Sequence, residues 1–104
     1  MMQHIINQDT RRSILTLLAL DSDYQLNQQL IGMALEANGK NVTTDTLNNQ
    51  LSWLAEQDFI TLETLGTLKI ATLTDRGLEI AKGKSRAAGV RDLRPSEIAH
   101  IKGK

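Results

Sequence analysis

The stretch from 42 to 57, VTTDTLNNQLSWLAEQ, constrains the fold more than any other, because it has the signs of a well-defined amphipathic helix. Thr43 is a good N-cap residue, and Asp45 lies in the first turn, where the helix dipole favours a carboxylate. Three leucines repeat at the spacing of one buried stripe: Leu47, Leu51 and Leu54. The segment therefore predicts a helix anchored by leucines, with its opposite side in solvent.

The side opposite the leucines carries amide and hydroxyl groups, which can hydrogen-bond to base edges in a DNA major groove. The candidates for base contacts are Thr44, Asp45, Asn48, Asn49 and Ser52. The same face fits an ordinary solvated helix surface, and the segment contains no Arg or Lys. Both interpretations stay open on the sequence alone.

Composition limits the possible classes of protein. A chain of 104 residues is long enough for one domain with a modest core. The absence of cysteine excludes disulfides, thiolate metal sites and Cys nucleophiles. No apolar run approaches the roughly 18 residues that span a bilayer, and the N-terminus lacks the segment order of a signal peptide. We therefore expect a cytoplasmic protein without a membrane partner.

Apolar spacing predicts two further helices before residue 42. The first lies within 2–20, with Arg11 and Arg12 facing outward. The second is capped by Asn27 and ends at Gly39, a residue suited to the left-handed position after a helix. Its predicted buried stripe is Leu30, Met33, Ala34 and Ala37.

Two short segments after the third helix, within 59–73, alternate apolar and polar residues and predict an antiparallel hairpin with its turn at 66–67. Thr74 then caps a fourth helix that ends at Gly83. Gly77 in its first turn weakens an isolated helix, and we expect it to permit close approach to the hairpin. The fold class is therefore mainly α with a small β-hairpin, in the order helix, helix, helix, strand, strand, helix.

This order is that of a winged helix-turn-helix, and the sequence resembles that superfamily. Residues 51–60, LSWLAEQDFI, resemble the end of the recognition helix and the first wing strand of MarR, ArsR and PadR-like proteins. Residues 73–77, LTDRG, are similar to the step that follows their wing. The resemblance implies DNA binding, and often transcriptional regulation by a homodimer.

A narrower resemblance is to small winged-helix proteins encoded in Mu-like phages and prophages. It covers about 24–95. The residues that carry it are Tyr24, Leu26, Asn27, the blocks 53–56 and 73–77, Ala81, Gly83, Gly89, Val90, Arg94 and Pro95. This resemblance implies a fold rather than an activity.

DNA-binding members usually carry cations in the recognition helix and at the wing tip, which this sequence lacks. The candidates for phosphate contacts therefore come from elsewhere: Arg11, Arg12, Lys40, Lys69, Lys82, Lys84 and Arg86. Residues 1–66 carry three basic against eight acidic residues, and 67–104 carry nine against four. We expect a domain at 1–83 and a basic tail at 84–104, with a short helix at 96–102. The tail either follows the phosphate backbone, is disordered, or packs on a dimer partner.

Two functions remain open. The first is a DNA-binding phage or prophage transcriptional regulator, with double-stranded DNA as its partner. The second is a winged-helix protein-interaction module without DNA binding, which binds a phage or host protein in assembly or host takeover. A homodimer would bury surplus apolar residues at both termini: Ile5, Ile6, Ile98 and Ile101.

Catalytic and metal chemistry are not expected. The sequence contains no Ser/His/Asp set, phosphate-binding glycine loop or pair of carboxylates in a plausible cleft. His4 and His100 lie near opposite ends of the chain, and lone terminal histidines are usually solvated. We therefore predict no enzyme activity, no metal and no cofactor.

Overall fold

The computed structural model describes residues 2–97. Its elements, in chain order, are α1 (Met2–Leu20), β1 (Gln25–Asn27), α2 (Gln28–Ala37), α3 (Thr44–Glu56), β2 (Ile60–Leu65), β3 (Leu68–Leu73) and α4 (Asp75–Ala81). A further helical turn occupies 95–97. The rest of the helix predicted at 96–102, together with Ile98, His100 and Ile101, lies outside the described residues.

The three helix starts predicted from caps are confirmed. In each case the side-chain oxygen of the N-cap residue accepts a hydrogen bond from an amide in the first turn. Asn27 accepts from Leu30 N at 2.8 Å, and Thr43 accepts from Thr46 N at 3.1 Å. Thr74 accepts from Gly77 N at 3.0 Å. Local sequence signals therefore define where α2, α3 and α4 begin.

The predicted hairpin is confirmed as β2 and β3, which pair antiparallel from Ile60↔Leu73 to Leu65↔Leu68. Gly66 in the connecting turn has a φ of 64°. A third strand, β1, was not predicted from the sequence. It pairs antiparallel with the other edge of β3 and gives the sheet order β1-β3-β2. A strand of three residues is too short to display an alternating pattern, so only its tertiary pairing defines it.

The core lies between the helices and one face of this sheet. The predicted stripe of α3 is confirmed, because Leu47, Leu51 and Leu54 are all buried. They pack with Ile14, Leu15 and Leu18 of α1, and with Phe59, Ile60 and Ala71 of the hairpin. The fold class, mainly α with a small antiparallel sheet, is confirmed at this level.

The predicted stripe of α2 is wrong. Ile31 and Leu35 are the buried residues of this helix, whereas Leu30 is 47% and Met33 is 59% exposed. The reason is that Asn27 is at once the last residue of β1 and the N-cap of α2. The pairing of β1 with β3 therefore fixes the rotation of α2, and the helix turns Leu30 and Met33 to solvent.

The residues that the sequence assigned to a separate basic tail pack on the domain as far as residue 97. Val90 is buried in the core, and Arg91 N donates to Gln8 O of α1 at 3.2 Å. We call residues 84–97 the strap, because they run back along α1. The expected division at residue 83 missed this packing, since Gly, Ala and basic residues in sequence also fit a loose tail. No helix among the described residues is long and apolar enough to cross a membrane.

Candidate functional site

The outer side of α3 presents most of the predicted base-contacting residues. Thr44, Asp45, Asn49 and Ser52 are exposed. Asn48 is half-buried, and its Oδ1 accepts a hydrogen bond from Nε2 of Gln28 at the start of α2. The structure therefore brings these five side chains to one helix face, and the contact with α2 occupies the amide oxygen of Asn48.

The outer side of α2 adjoins this face and has a different chemistry. Leu30, Met33 and Glu36 are exposed there. A groove of about 320 Å³ runs between α2, the start of α3 and Leu68 of β3, and Met33 and Leu47 contribute to its lining. We call the outer sides of α2 and α3, with this groove, the α2–α3 surface. It combines apolar, acidic and uncharged polar groups.

Arg11 of α1 lies against the inner part of the domain. Its guanidinium carbon is 3.9 Å from the centre of the Trp53 ring. Its Nε donates to Oε1 of Gln50 at 2.7 Å, and its Nη1 donates to Gly89 O of the strap at 3.0 Å. Burial lowers the pKa of Arg11. The predicted outward orientation is therefore wrong, because the stacking contact and both hydrogen bonds hold this half-buried side chain against α3 and the strap.

Arg12 is also directed inward, with 2% of the residue exposed. Its Nη1 donates to Ile80 O at 2.9 Å and to Ala81 O at 3.4 Å, and its Nε donates to Arg91 O at 2.6 Å. The last carbonyls of a helix have no partner within that helix. Arg12 therefore caps the end of α4 and ties it to the strap, and this buried position is incompatible with its predicted role in phosphate contact.

Lys40 belongs to a chain of ion pairs. Its Nζ lies 2.9 Å from Oδ2 of Asp9, and Nε of Arg91 lies 2.8 Å from Oδ1 of the same carboxylate. Arg91 also pairs with Glu97 at 3.0 Å. Asp9 is therefore shared by two cations that come from distant parts of the chain. The charge of Lys40, like that of Arg11, is engaged within the domain.

These ion pairs lower the pKa values of the carboxyl groups of Asp9 and Glu97. Burial alone would raise the pKa of Asp9, but the hydrogen bonds and charges of Lys40 and Arg91 outweigh burial and hold it below the usual value near 3.8. For Glu97, the hydrogen bond from Arg91 is the largest cause that lowers the pKa below its usual 4.5. Protons therefore bind these groups more tightly in the unfolded chain than in the folded one.

A pH-dependent stability follows from these shifts. The stabilisation is fully present above about pH 5, where both carboxyls are ionised even in the unfolded chain, and is lost as the pH falls through the depressed folded values. Urea unfolding between pH 7 and pH 2.5 would measure it. We expect the Asp9→Asn variant to be less stable at pH 7 and to lose less stability on acidification. An identical acid profile for this variant and the unchanged chain would contradict the assignment.

The remaining predicted phosphate ligands lie on β3, at the end of α4 and on the strap. Lys69 lies on β3 opposite Thr64 and is half-buried. Lys82 is the C-cap residue of α4, and Lys84 follows it on the exposed surface. Arg86 of the strap pairs with Asp92, which raises the pKa of Arg86 and lowers that of Asp92. Lys82 and Lys84 follow α4, which packs on α1 and β3, whereas Lys69 is the neighbour of Leu68 in the groove of the α2–α3 surface.

Sequence reasoning missed the residues that engage these cations. Gln50 lies on α3 and is 6% exposed, and its Nε2 donates to Oδ1 of Asn7 while its Oε1 accepts from Arg11. In the sequence, the position of Gln50 beside the leucine stripe was the one sign that this glutamine could be buried. Trp53 packs edge-on to Phe59, with 6.3 Å between the ring centroids. Among residues 2–97, no three His, Cys, Asp or Glu residues are grouped as metal ligands.

Comparisons with known proteins give two relatives. The chain is 39% identical over 95 residues to "Uncharacterized protein gp26" of Escherichia phage Mu, and the match covers 91% of this chain and 98% of that protein. It is 31% identical over 96 residues to an uncharacterized protein of Haemophilus influenzae, covering 91% and 92% respectively. No family model matches the chain. No solved structure matches it.

Proposed function

We propose that this chain, which belongs to the same family as gp26 of Escherichia phage Mu, is a winged-helix protein-interaction module that binds a protein partner through its α2–α3 surface. The observation that carries the proposal is the chemistry of that surface. Lys40 is the one basic residue within 28–57, and it is paired with Asp9. The exposed side chains around it are apolar, acidic or uncharged, and include Leu30, Met33, Glu36 and Asp45.

The winged-helix part of the proposal rests on the order and pairing of the elements. α2 and α3 would be the helix-turn-helix pair, and β2 and β3 would be the wing. β1 lies between α1 and α2 in the chain and would extend this wing to three strands. α4 follows β3 directly, with Thr74 as its N-cap.

Binding to a DNA duplex places specific requirements on a protein surface, and the α2–α3 surface meets them poorly. In helix-turn-helix proteins the second helix enters the major groove while the first helix crosses the phosphate backbone. Here α2 would bring Leu30, Met33 and Glu36 toward the phosphates. Affinity for DNA depends largely on cations that neutralise phosphates, so an apolar and acidic helix favours a protein partner over a nucleic acid.

A second candidate function is sequence-specific binding of double-stranded DNA by a phage or prophage regulator. The observation that favours it is the exposed row of Thr44, Asp45, Asn49 and Ser52 on α3, whose groups can hydrogen-bond to base edges. Phosphate contacts would then come from the cations outside the buried network: Lys69, Lys82 and Lys84.

Site-specific photo-cross-linking tests the proposed function. A photoreactive amino acid at Met33, which is 59% exposed on α2, would be compared with the same amino acid at Glu79, which is exposed on α4. Both variants would be expressed in host cells together with the phage genes. We expect one discrete protein adduct from position 33 and none from position 79. Adducts of equal yield at both positions, or DNA adducts at position 33 alone, would contradict the proposal.

A further inference from the structure

We propose that the groove of the α2–α3 surface binds a basic amphipathic α-helix of the partner protein. The inference rests on the proposed function, because it names the kind of segment that the partner places on this surface. The lining of the groove, a glycine in the middle of α2 and the acidic side chains beside the groove each favour such a segment.

The lining of the groove combines apolar side chains with uncharged polar groups. Met33 of α2, Leu47 of α3 and Leu68 of β3 contribute apolar side chains. The amide and hydroxyl groups come from Gln28, Gln29, Thr43 and Thr44. A helix bound in a groove of this kind places one apolar stripe against it and keeps its polar side in water. The flexible side chain of methionine adapts to apolar groups of different shape.

A bound helix suits this groove better than an added strand. β3, which contributes Leu68 to the lining, already pairs with β1 on one side and β2 on the other. A partner strand therefore has no continuous sheet edge to extend there. On α2, the lining residues Gln29, Gly32, Met33 and Glu36 follow one stripe along the helix. A second helix can lie along this stripe.

Gly32 lies in the middle of α2, although the fold does not require a glycine there. Its backbone is helical, and an added Cβ atom would meet Leu47 Cδ2 at 3.5 Å, an ordinary contact distance. Glycine weakens a helix relative to alanine, because it loses more backbone freedom on folding. Gly32 is half-buried and contributes to the lining of the groove. A glycine in this position lets the backbone of a bound segment come close to α2.

The carboxylates beside the groove determine the charge of the segment that it binds. Glu36 contributes to the lining, and Asp45 follows Thr44, which also contributes to it. Both carboxylates are exposed, and neither forms an ion pair within residues 2–97. Lys or Arg side chains on the flanks of a bound helix would pair with these two groups.

Basic groups near the groove do not cancel this charge. Lys40 is held by the Asp9 carboxylate at 2.9 Å. Lys69 adjoins Leu68 on the hairpin and is half-buried. The groove is therefore left with two exposed carboxylates against one ammonium group without an ion pair. This balance favours a cationic helix over an acidic one.

The identity of the cross-linked segment tests the inference directly. The photoreactive amino acid at Met33 would label the partner in the host cells, and digestion followed by mass spectrometry would identify the labelled segment. We expect a segment with net positive charge, whose apolar residues recur at i, i+3 or i+4, and i+7. An acidic segment, a segment with alternating apolar residues, or a second copy of this chain would overturn the inference, while the protein adduct would still support the proposed function. The absence of a protein adduct would contradict both.

Charge reversal tests the contribution of Glu36. In the chain with the photoreactive amino acid at position 33, Glu36→Lys is expected to lower the adduct yield at least about tenfold, because like charges would then meet. Glu79→Lys is the matched control, since Glu79 is an exposed glutamate on α4, and it should leave the yield unchanged. Equal effects of the two reversals would overturn the inference.

Gly32→Ala separates binding from stability. We expect the adduct yield to fall at least about fivefold, because the added methyl group would hold the bound helix away from α2. The fold itself should become no less stable, which thermal unfolding of the same sample would measure by circular dichroism. An unchanged yield, or a yield that falls only together with the melting temperature, would overturn the inference.

Discussion

Replacing Arg12 with methionine is expected to lower the free energy of unfolding by about 3 kcal/mol or more. Methionine can fill much of the buried volume, but it donates no hydrogen bond to the three carbonyls that Arg12 binds, those of Ile80, Ala81 and Arg91. The end of α4 and the strap would both lose the hydrogen bonds that tie them to Arg12 of α1. Urea unfolding followed by circular dichroism would measure the change.

Two matched variants make this prediction specific. Lys84→Met removes a positive charge from an exposed position of the strap and should change the free energy of unfolding by less than about 0.5 kcal/mol. Arg12→Lys keeps the charge but offers one nitrogen instead of a fork, so it should restore only part of the loss. Equal stability of Arg12→Met and Lys84→Met would contradict the structural role of Arg12.

Gly77→Ala is expected to destabilise the fold by about 3 kcal/mol or more, although alanine is the better helix former. A Cβ atom on Gly77 would lie 1.8 Å from the backbone oxygen of Phe59. That oxygen also accepts a hydrogen bond from Thr74 N at 3.1 Å. The start of α4 would have to move away from the beginning of β2, which would break this contact.

Gly32→Ala is the matched control, since Gly32 lies within a helix and has room for a methyl group. Its added Cβ would meet Leu47 Cδ2 at 3.5 Å, an ordinary contact distance. We expect a gain of up to about 1 kcal/mol from the lower backbone entropy of the unfolded chain. Thermal unfolding of both variants would reveal the opposite signs. A loss of stability in Gly32→Ala as large as that in Gly77→Ala would contradict the packing around α4.

The features that the sequence predicted correctly are those encoded by neighbouring residues. The Thr43 cap and the leucine repeat define α3, and the alternation and the turn at Gly66 define the hairpin. The sequence also indicated the close approach at Gly77, because a glycine in a first helical turn requires a packing reason. Each of these signals spans only a few residues, so tertiary structure was not needed to interpret it.

The features that could not be predicted depend on distant partners. Arg12 binds carbonyls that are 68 and 79 positions away, so nothing near it in the sequence indicates an inward orientation. The rotation of α2 depends on the pairing of Leu26 with Ala71. Asp9 is shared by Lys40 and Arg91, which are 31 and 82 positions away. Charge patterns in sequence cannot distinguish such internal ion pairs from a basic surface.

The contacts that these cations make within the domain change the kind of partner that the protein is expected to bind. Arg11, Arg12 and Lys40 were the predicted phosphate ligands closest in sequence to α2 and α3, and all three are bonded within the domain. Arg11, Arg12 and Arg91 therefore hold the strap or the end of α4 on α1. This leaves the α2–α3 surface with apolar, acidic and uncharged polar groups, which is the central point of the proposed function.

Binding of a fluorescently labelled random DNA duplex across a salt series tests that point most directly. We predict no saturable binding of the full chain even at low ionic strength, and the same result for Lys69→Ala. Saturable binding at low salt, with a log–log slope of about −0.9 for each neutralised phosphate and a total slope of several units, would contradict it. A slope that falls by about one unit in Lys69→Ala would place the duplex on the hairpin and favour DNA binding over the proposed function.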